Sequence, residues 1–206
     1  MIDNTDDTYL TIAHDAEEVI FKEMGSKFIN YAFRVKNEEE VREKLNYLRE
    51  KWPDATHHCY AYILGINKED YRANDDGEPS GSAGLPIYNQ ILSFELTNVL
   101  VVSVRYFGGT KLGVPGLVKA YKYGAQIALE EAKIVTRYLT KKVELIFNYD
   151  QQGIVERNIE RVNGEIVNKE FMANCRFVVE VRNSLLEKFE SQFKEMYQLK
   201  LKVLDD

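Results

Sequence analysis

From Asn98 to Gly124 the chain passes without a break from an apolar stretch (NVLVVSVRY), through a glycine-rich turn, into residues with helical apolar spacing. A strand that is apolar at nearly every position must be shielded from water on both faces, which is the pattern of an interior strand of a covered sheet. Asn98–Tyr106 is therefore predicted as a central strand, and the expectation is a parallel or mixed sheet. Pro115 suits the first turn of the following helix, which runs to about Lys133. That helix carries Leu117, Ala120, Gly124, Ile127 and Ala128 on one face, with Tyr121 beside it.

The neighbouring segments supply partners for that strand. Lys27–Val35 alternates loosely at period two and reads as a strand, as does His57–Leu64. Between them Asn37 is placed as an N-cap with Glu40 three residues on, and Val41, Leu45, Leu48 and Trp52 recur at helical spacing until Pro53. The character changes near Arg137. Beyond it Lys141–Asn148 reads as a strand, Asp150–Val162 as a helix capped by Asp150, and Glu165–Met172 and Cys175–Val181 as strands. A helix from Asn183 to about Glu195 and a strand over Leu199–Leu204 close the pattern. That order, β-α-β-β-α-β, is the ferredoxin-like arrangement. The fold class expected is α+β with two domains, residues 1–136 and 137–206.

Composition excludes several classes. With 45% hydrophobic and 29% charged residues in 206, the chain has enough apolar material for packed cores and is not a disordered or low-complexity sequence. A net charge of −6 argues against coating nucleic acid by bulk charge. All of it lies before Arg137, where 15 basic residues stand against 21 acidic; the remainder carries 12 of each. Cys59 and Cys175 lie far apart, and the opening MIDNTDDTYL has neither a basic nor an apolar leader region, so free thiols and a reducing cytoplasm are expected. The longest apolar run, Val99–Val102, is far below the roughly 20 residues a membrane span needs.

Within this acidic half, Ser103–Gly124 contains Arg105, Lys111, Lys119 and Lys122 and no carboxylate. Gly108, Gly109, Gly113 and Gly116 allow close backbone approach, and the helix beginning near Pro115 offers its positive end to an anion such as phosphate. The residue after Gly113 is Val114 where a Walker A loop has lysine, and the glycine spacing is not GxGxxG, so nucleotide hydrolysis by those motifs is unsupported. The plainer alternative is a sharp strand-to-helix turn with solvating lysines.

A second dense segment, Ala73–Pro86 (ANDDGEPSGSAGLP), holds Asp75, Asp76 and Glu78 with Ser80 and Ser82. It reproduces neither the EF-hand ligand positions nor the GxSxG elbow. Asx turns and caps explain such a loop; a divalent ion on Asp75, Asp76 or Glu78 is the alternative, and no cofactor is implied. Strand alternation puts His57 with Cys59 on one face and His58 with Tyr60 on the other, and neighbours two apart on a strand seldom aim at one another as a nucleophile pair requires. Zinc spacing is missing. His57 is kept with the acidic loop as a candidate polar site. Lys22–Phe28 (KEMGSKF) adds Ser26 and Lys27, which by themselves specify nothing.

Together GSKF at Gly25–Phe28, THHCYAY at Thr56–Tyr62, DDGEPSGSAGLP at Asp75–Pro86 and VRYFGGTKLGVPGLVKAY at Val104–Tyr121 resemble the YigZ/IMPACT family of uncharacterised and translation-linked proteins. The resemblance implies an N-terminal domain like the second domain of a small-subunit ribosomal protein and a ferredoxin-like C-terminal domain like that of elongation factor G. Its basic motif maps onto Arg105, Gly108, Gly109, Leu112, Gly113, Gly116 and Leu117, and its acidic loop onto Asp76, Gly77, Glu78, Pro79 and Gly81. Pro115 departs from the glycine expected there. The partner that eukaryotic relatives bind through an additional N-terminal domain is not implied for this chain. The function expected is translation-associated, non-enzymatic binding of RNA or the ribosome, with Arg105, Lys111, Lys119 and Lys122 on phosphates and Tyr106 and Phe107 available for stacking. The alternatives are a hydrolase or metal-dependent enzyme acting on a small phosphorylated compound, and a protein-interaction module for a translation factor.

Overall fold

A computed structural model describes residues 7–204 and forms two compact units, Tyr9–Arg137 and residues 7–8 with residues 138–204. The fold class is α+β, as the sequence indicated. No helix among the described residues is long and apolar enough to cross a membrane.

The first unit is built on a five-stranded sheet. Its strands are β2 (Ala16–Glu23), β3 (Ser26–Arg34), β4 (His57–Leu64), β5 (Asp70–Asn74) and β6 (Val99–Tyr106), in the order β2-β3-β6-β4-β5. Every pairing is antiparallel, which corrects the expectation of a parallel or mixed sheet. The apolar run of β6 arises because this strand is central and covered on both faces, and that requirement does not depend on strand direction.

On one face α1 (Glu38–Lys51) packs Val41, Leu45 and Leu48 against Tyr31, Tyr60, Tyr62, Leu100 and Val102. On the other face α2 (Gly84–Ser93) and α3 (Gly113–Glu131) cover Phe28, Cys59, Ala61 and Val101. The alternation read along His57–Leu64 is thus the division between two apolar layers. Asn37 caps α1 as read, its Oδ1 accepting from the Glu40 amide at 2.9 Å, while Glu40 Oε2 accepts from the Lys36 amide. Gly124 lets α3 approach the sheet: a Cβ there would lie 2.2 Å from Asn30 Oδ1. Two further strands, β1 (Thr8–Ile12) and β7 (Ile134–Tyr138), pair with each other.

The second unit has strands β8 (Thr140–Phe147), β9 (Glu165–Phe171), β10 (Cys175–Arg182) and β11 (Lys200–Val203) in the order β11-β8-β10-β9. With helices α4 (Gln152–Glu160) and α5 (Leu186–Ser191), this is the ferredoxin-like arrangement. Val143, Leu145, Phe147, Phe177, Val179 and Val181 alternate inward beneath Val155, Ile159 and Phe189. Asp150 does not cap α4. Asn148 begins that segment with a capping box to Gln151 through a short 3₁₀ turn, and α5 stops at Ser191 rather than Glu195.

Asp7 is held by a bidentate contact from Arg182, whose Nε and Nη2 donate at 2.8 and 2.6 Å to Oδ1, and by the Ser184 amide at 2.9 Å. Arg182 and the Ser184 amide hold the Asp7 carboxyl far below its ordinary value of 3.8. A depressed folded-state pKa means that the stabilisation is present above about pH 4 and is lost as the pH falls towards the folded-state value. Asp7→Asn is expected to remove about 1.5–3 kcal/mol at neutral pH. Urea unfolding at pH 7 and pH 2.5 checks this, because the gap between wild type and variant should narrow at the lower pH, where the unfolded-state carboxyl is protonated and the folded-state one is still ionised.

Candidate functional site

The β6–α3 turn, the start of β4 and the acidic loop after β5 converge on one cleft. Arg105, the seventh residue of β6, points to the α2/α3 side and is 4% exposed. Its Nη1 donates to Glu78 Oε1 at 2.5 Å and its Nη2 to Ser26 Oγ at 3.1 Å. Tyr121 Oη, from α3, donates to the same Glu78 oxygen at 2.6 Å. The guanidinium lies between the Phe28 and Phe107 rings, 5.5 and 5.6 Å from their centroids. Arg105 is thus committed to a buried pair with Glu78, whose side chain is also 4% exposed, and this corrects its placement among free phosphate contacts.

The acidic loop reaches this position through its own backbone bonds. Asp75 accepts from the amides of Gly81, Ala83 and Gly84 at 2.8–3.0 Å, so it caps α2 from eight and nine residues upstream. Asp76 Oδ2 accepts from the His58 amide at 2.6 Å, and Ser82 Oγ donates to the Pro79 carbonyl. Ser80 is exposed. Asp75 and Asp76 serve the loop itself, the Asx-and-cap explanation, and among the described residues no three His, Cys, Asp or Glu side chains form a group that could hold a metal ion. Glu78 is the carboxylate presented to the cleft.

His57 joins it there, with Nε2 3.8 Å from Glu78 Oε1. Its Nδ1 lies 2.8 Å from the Asp76 carbonyl, which can only accept. Nδ1 therefore carries hydrogen, and in the neutral ring Nε2 is an acceptor turned to the cleft. Cys59 is no partner for it: Sγ sits 3.0 Å from the Asp75 carbonyl and 3.4 Å from Tyr121 Oη, and burial pushes its thiol pKa well up. Burial likewise raises that of the Tyr121 hydroxyl, so it stays a proton donor to Glu78.

The glycines divide by role. Gly108 packs against Gly25, where a Cβ would lie 1.9 Å from the Gly25 carbonyl carbon, and its amide donates to Ser26 Oγ. It serves the close approach of two backbone segments, and its amide is taken up by Ser26. Gly109 and Gly113 have φ of +86° and +69°, conformations that turn the chain into α3. Gly116 faces Leu112 within the helix start. Ser26, in the segment that by itself specified nothing, proves to be the hydroxyl joining Arg105 to the turn, and Tyr121 is the other site residue the sequence left outside. Only the GSKF resemblance pointed to the former.

The resulting cleft, about 460 Å³, is lined by His57, Glu78, Pro79, Arg105, Phe107 and Lys111 with the first residues of α3. The basic turn and the acidic loop therefore share one cavity. The start of α3 has no side-chain cap and no acidic residue in its first turn. Lys119 and Lys122, both exposed, lie along α3 on two other depressions, the first beside Tyr123 and the second beside Gln90.

The chain matches the Impact N-terminal domain model over residues 24–129 and a domain of unknown function, DUF1949, over residues 145–198. IMPACT family member YvyE of Bacillus subtilis is 31% identical over 189 residues, spanning 92% of this chain and 87% of that protein. An IMPACT family member of Haemophilus influenzae is 32% identical over 181 residues, spanning 86% and 88%. Among solved structures, a hypothetical protein superimposes with a TM-score of 0.70 at 27% identity, covering 97% of this chain and 98% of that one. The segments that build the cleft, Gly25–Phe28, Thr56–Tyr62, Asp75–Pro86 and Val104–Tyr121, all lie within the first matched region, and the chain belongs to the IMPACT family.

Proposed function

We propose that this chain is a translation-associated regulatory protein that contacts RNA, free or in the ribosome, along the first half of α3. Translation is the setting that the family resemblance implies, and a phosphate-binding surface gives it a physical route. The observation that carries the reading is the exposure of Lys111, Lys119 and Lys122, the lysines of a segment without carboxylates, before and along a helix whose start has no side-chain cap. Free N–H groups and the positive helix end attract phosphate there, and three lysines supply the charge. Arg105 supports the turn from beneath, held by Glu78 and Ser26. Its replacement by glutamate would damage the fold as well as any RNA contact, so the exposed lysines are the residues to change.

Fluorescence anisotropy of labelled single-stranded and structured RNA, at two salt concentrations, tests the reading. Each phosphate contact contributes about 0.7 to the salt dependence on a single strand. Lys111→Glu/Lys119→Glu/Lys122→Glu is therefore expected to lower affinity by about tenfold or more and to reduce the slope of log affinity against log salt by about 2. Unchanged affinity in the folded triple variant would refute the RNA assignment and turn attention to a protein partner.

A further inference from the structure

The cleft between the acidic loop and the start of α3 has a chemistry more specific than phosphate attraction. Its buried end presents acceptors. Glu78 Oε1 is occupied by Arg105 and Tyr121, but its second oxygen has no hydrogen-bond donor among the described residues, and in the neutral ring His57 Nε2 is an acceptor, because Nδ1 carries the hydrogen facing the Asp76 carbonyl. The wall is apolar and flat, with Phe107 46% exposed beside Val114. The rim carries Lys111 and the uncapped first turn of α3. A ligand complementary to all three has adjacent hydrogen-bond donors on a planar edge, an aromatic body and an anionic group at the far end. The volume of about 460 Å³ lies within the range of small-molecule sites.

Among the nucleobases this selects guanine. Its ring N1–H and exocyclic amine are neighbouring donors, whereas adenine and cytosine set one amine beside an acceptor and uracil sets one N–H between two carbonyls. A site built of paired acceptors leaves them desolvated and unpaired when the wrong edge enters, which is where polar sites gain their discrimination. We infer that this cleft binds a single guanine nucleotide, with its base edge on Glu78 and His57, its ring against Phe107, and its phosphate at Lys111 and the start of α3. The guanine comes either from a free nucleotide or from an RNA strand, and in the second case the inference rests on the RNA reading above.

Calorimetric titration of the full chain with 5′-GMP, 5′-AMP, 5′-UMP and inorganic phosphate tests it. GMP should bind at least tenfold more tightly than the other three. Phe107→Ala should weaken GMP at least fivefold, and Val114→Trp, which fills the cleft mouth from an exposed helix position, should abolish it. Glu78→Gln should erase the preference for GMP over UMP; because Glu78 also partners Arg105, the two exposed variants keep the test valid if this one fails to fold. Equal binding of all three nucleotides, GMP no tighter than inorganic phosphate, or a Val114→Trp protein that still binds GMP would each overturn the inference. Lys119→Glu/Lys122→Glu separates it from the RNA reading, since those lysines line other depressions: oligo(A) binding should fall while GMP binding holds. GMP binding without RNA binding keeps the cleft assignment and removes the RNA reading. RNA binding with no response to any nucleotide does the reverse. A gain in affinity on placing one guanine in oligo(A), competed by GMP, identifies RNA as the source, and GMP binding without that gain identifies the free nucleotide.

Discussion

Replacing Arg105 with methionine should lower the unfolding free energy of the N-terminal unit by about 3–5 kcal/mol. The guanidinium and the Glu78 carboxylate are each 4% exposed, and removing one partner leaves the other charge desolvated without compensation. Ser26 Oγ also loses a donor, and the packing of the cation between Phe28 and Phe107 disappears. Trp52, the single tryptophan, bonds Tyr31 Oη within the same unit, so its fluorescence in a urea titration follows this unit and not the other. Adding Glu78→Gln to the Arg105→Met variant should recover much of the loss, because the stranded charge is removed with its partner. A loss under about 1 kcal/mol in the single variant would be the behaviour of a solvent-exposed pair and would contradict the burial described.

The second large effect is expected at Gly108. An alanine Cβ there would stand 1.9 Å from the Gly25 carbonyl carbon, 2.1 Å from its oxygen and 2.3 Å from the Ser26 nitrogen. These are backbone atoms, so relief requires the ends of β3 and β6 to part rather than a side chain to rotate. Overpacking typically costs 1–3 kcal/mol, and Gly108→Ala is expected at about 3 kcal/mol or above. Gly109→Ala provides the contrast: nothing lies near its Cβ position, and only the positive φ of +86° opposes the change, so about 1–2 kcal/mol is expected. Equal losses in the two variants would show that turn conformation alone, and not the close approach of the Gly25 and Gly108 segments, requires glycine at this place.

The lysine variants change exposed charges around α3, and Asp7→Asn acts within the other unit. Both should leave the Trp52 unfolding signal of the N-terminal unit close to wild type, since substitutions at separate sites with no shared partners act independently. This separates a loss of RNA affinity from a loss of fold.

Several features were determined by the sequence alone because they depend on neighbours along the chain. The apolar continuity of Val99–Tyr106 required a central strand, the period-two alternation of His57–Leu64 sorted its side chains into two layers, and Asn37 set the start of α1. The order of short periodic segments after Arg137 was enough for a ferredoxin-like unit. Strand direction was beyond reach, since a strand covered on both faces reads alike in parallel and antiparallel sheets. The second helix of the N-terminal unit, α2, also escaped notice: GLPIYNQILS carries no charge, and its cap is Asp75, eight and nine residues before the amides it accepts from. The site itself was decided by tertiary structure. Arg105 and Glu78 are 27 residues apart in the chain and Arg105 and Ser26 are 79 apart, so a cation that looked free beside a glycine turn proved to be neutralised within the fold. Local periodicity reports which face of an element is apolar; which buried charges meet across the sheet is fixed only when the elements pack, and that meeting leaves Lys111, Lys119 and Lys122 as the exposed cations of Ser103–Gly124.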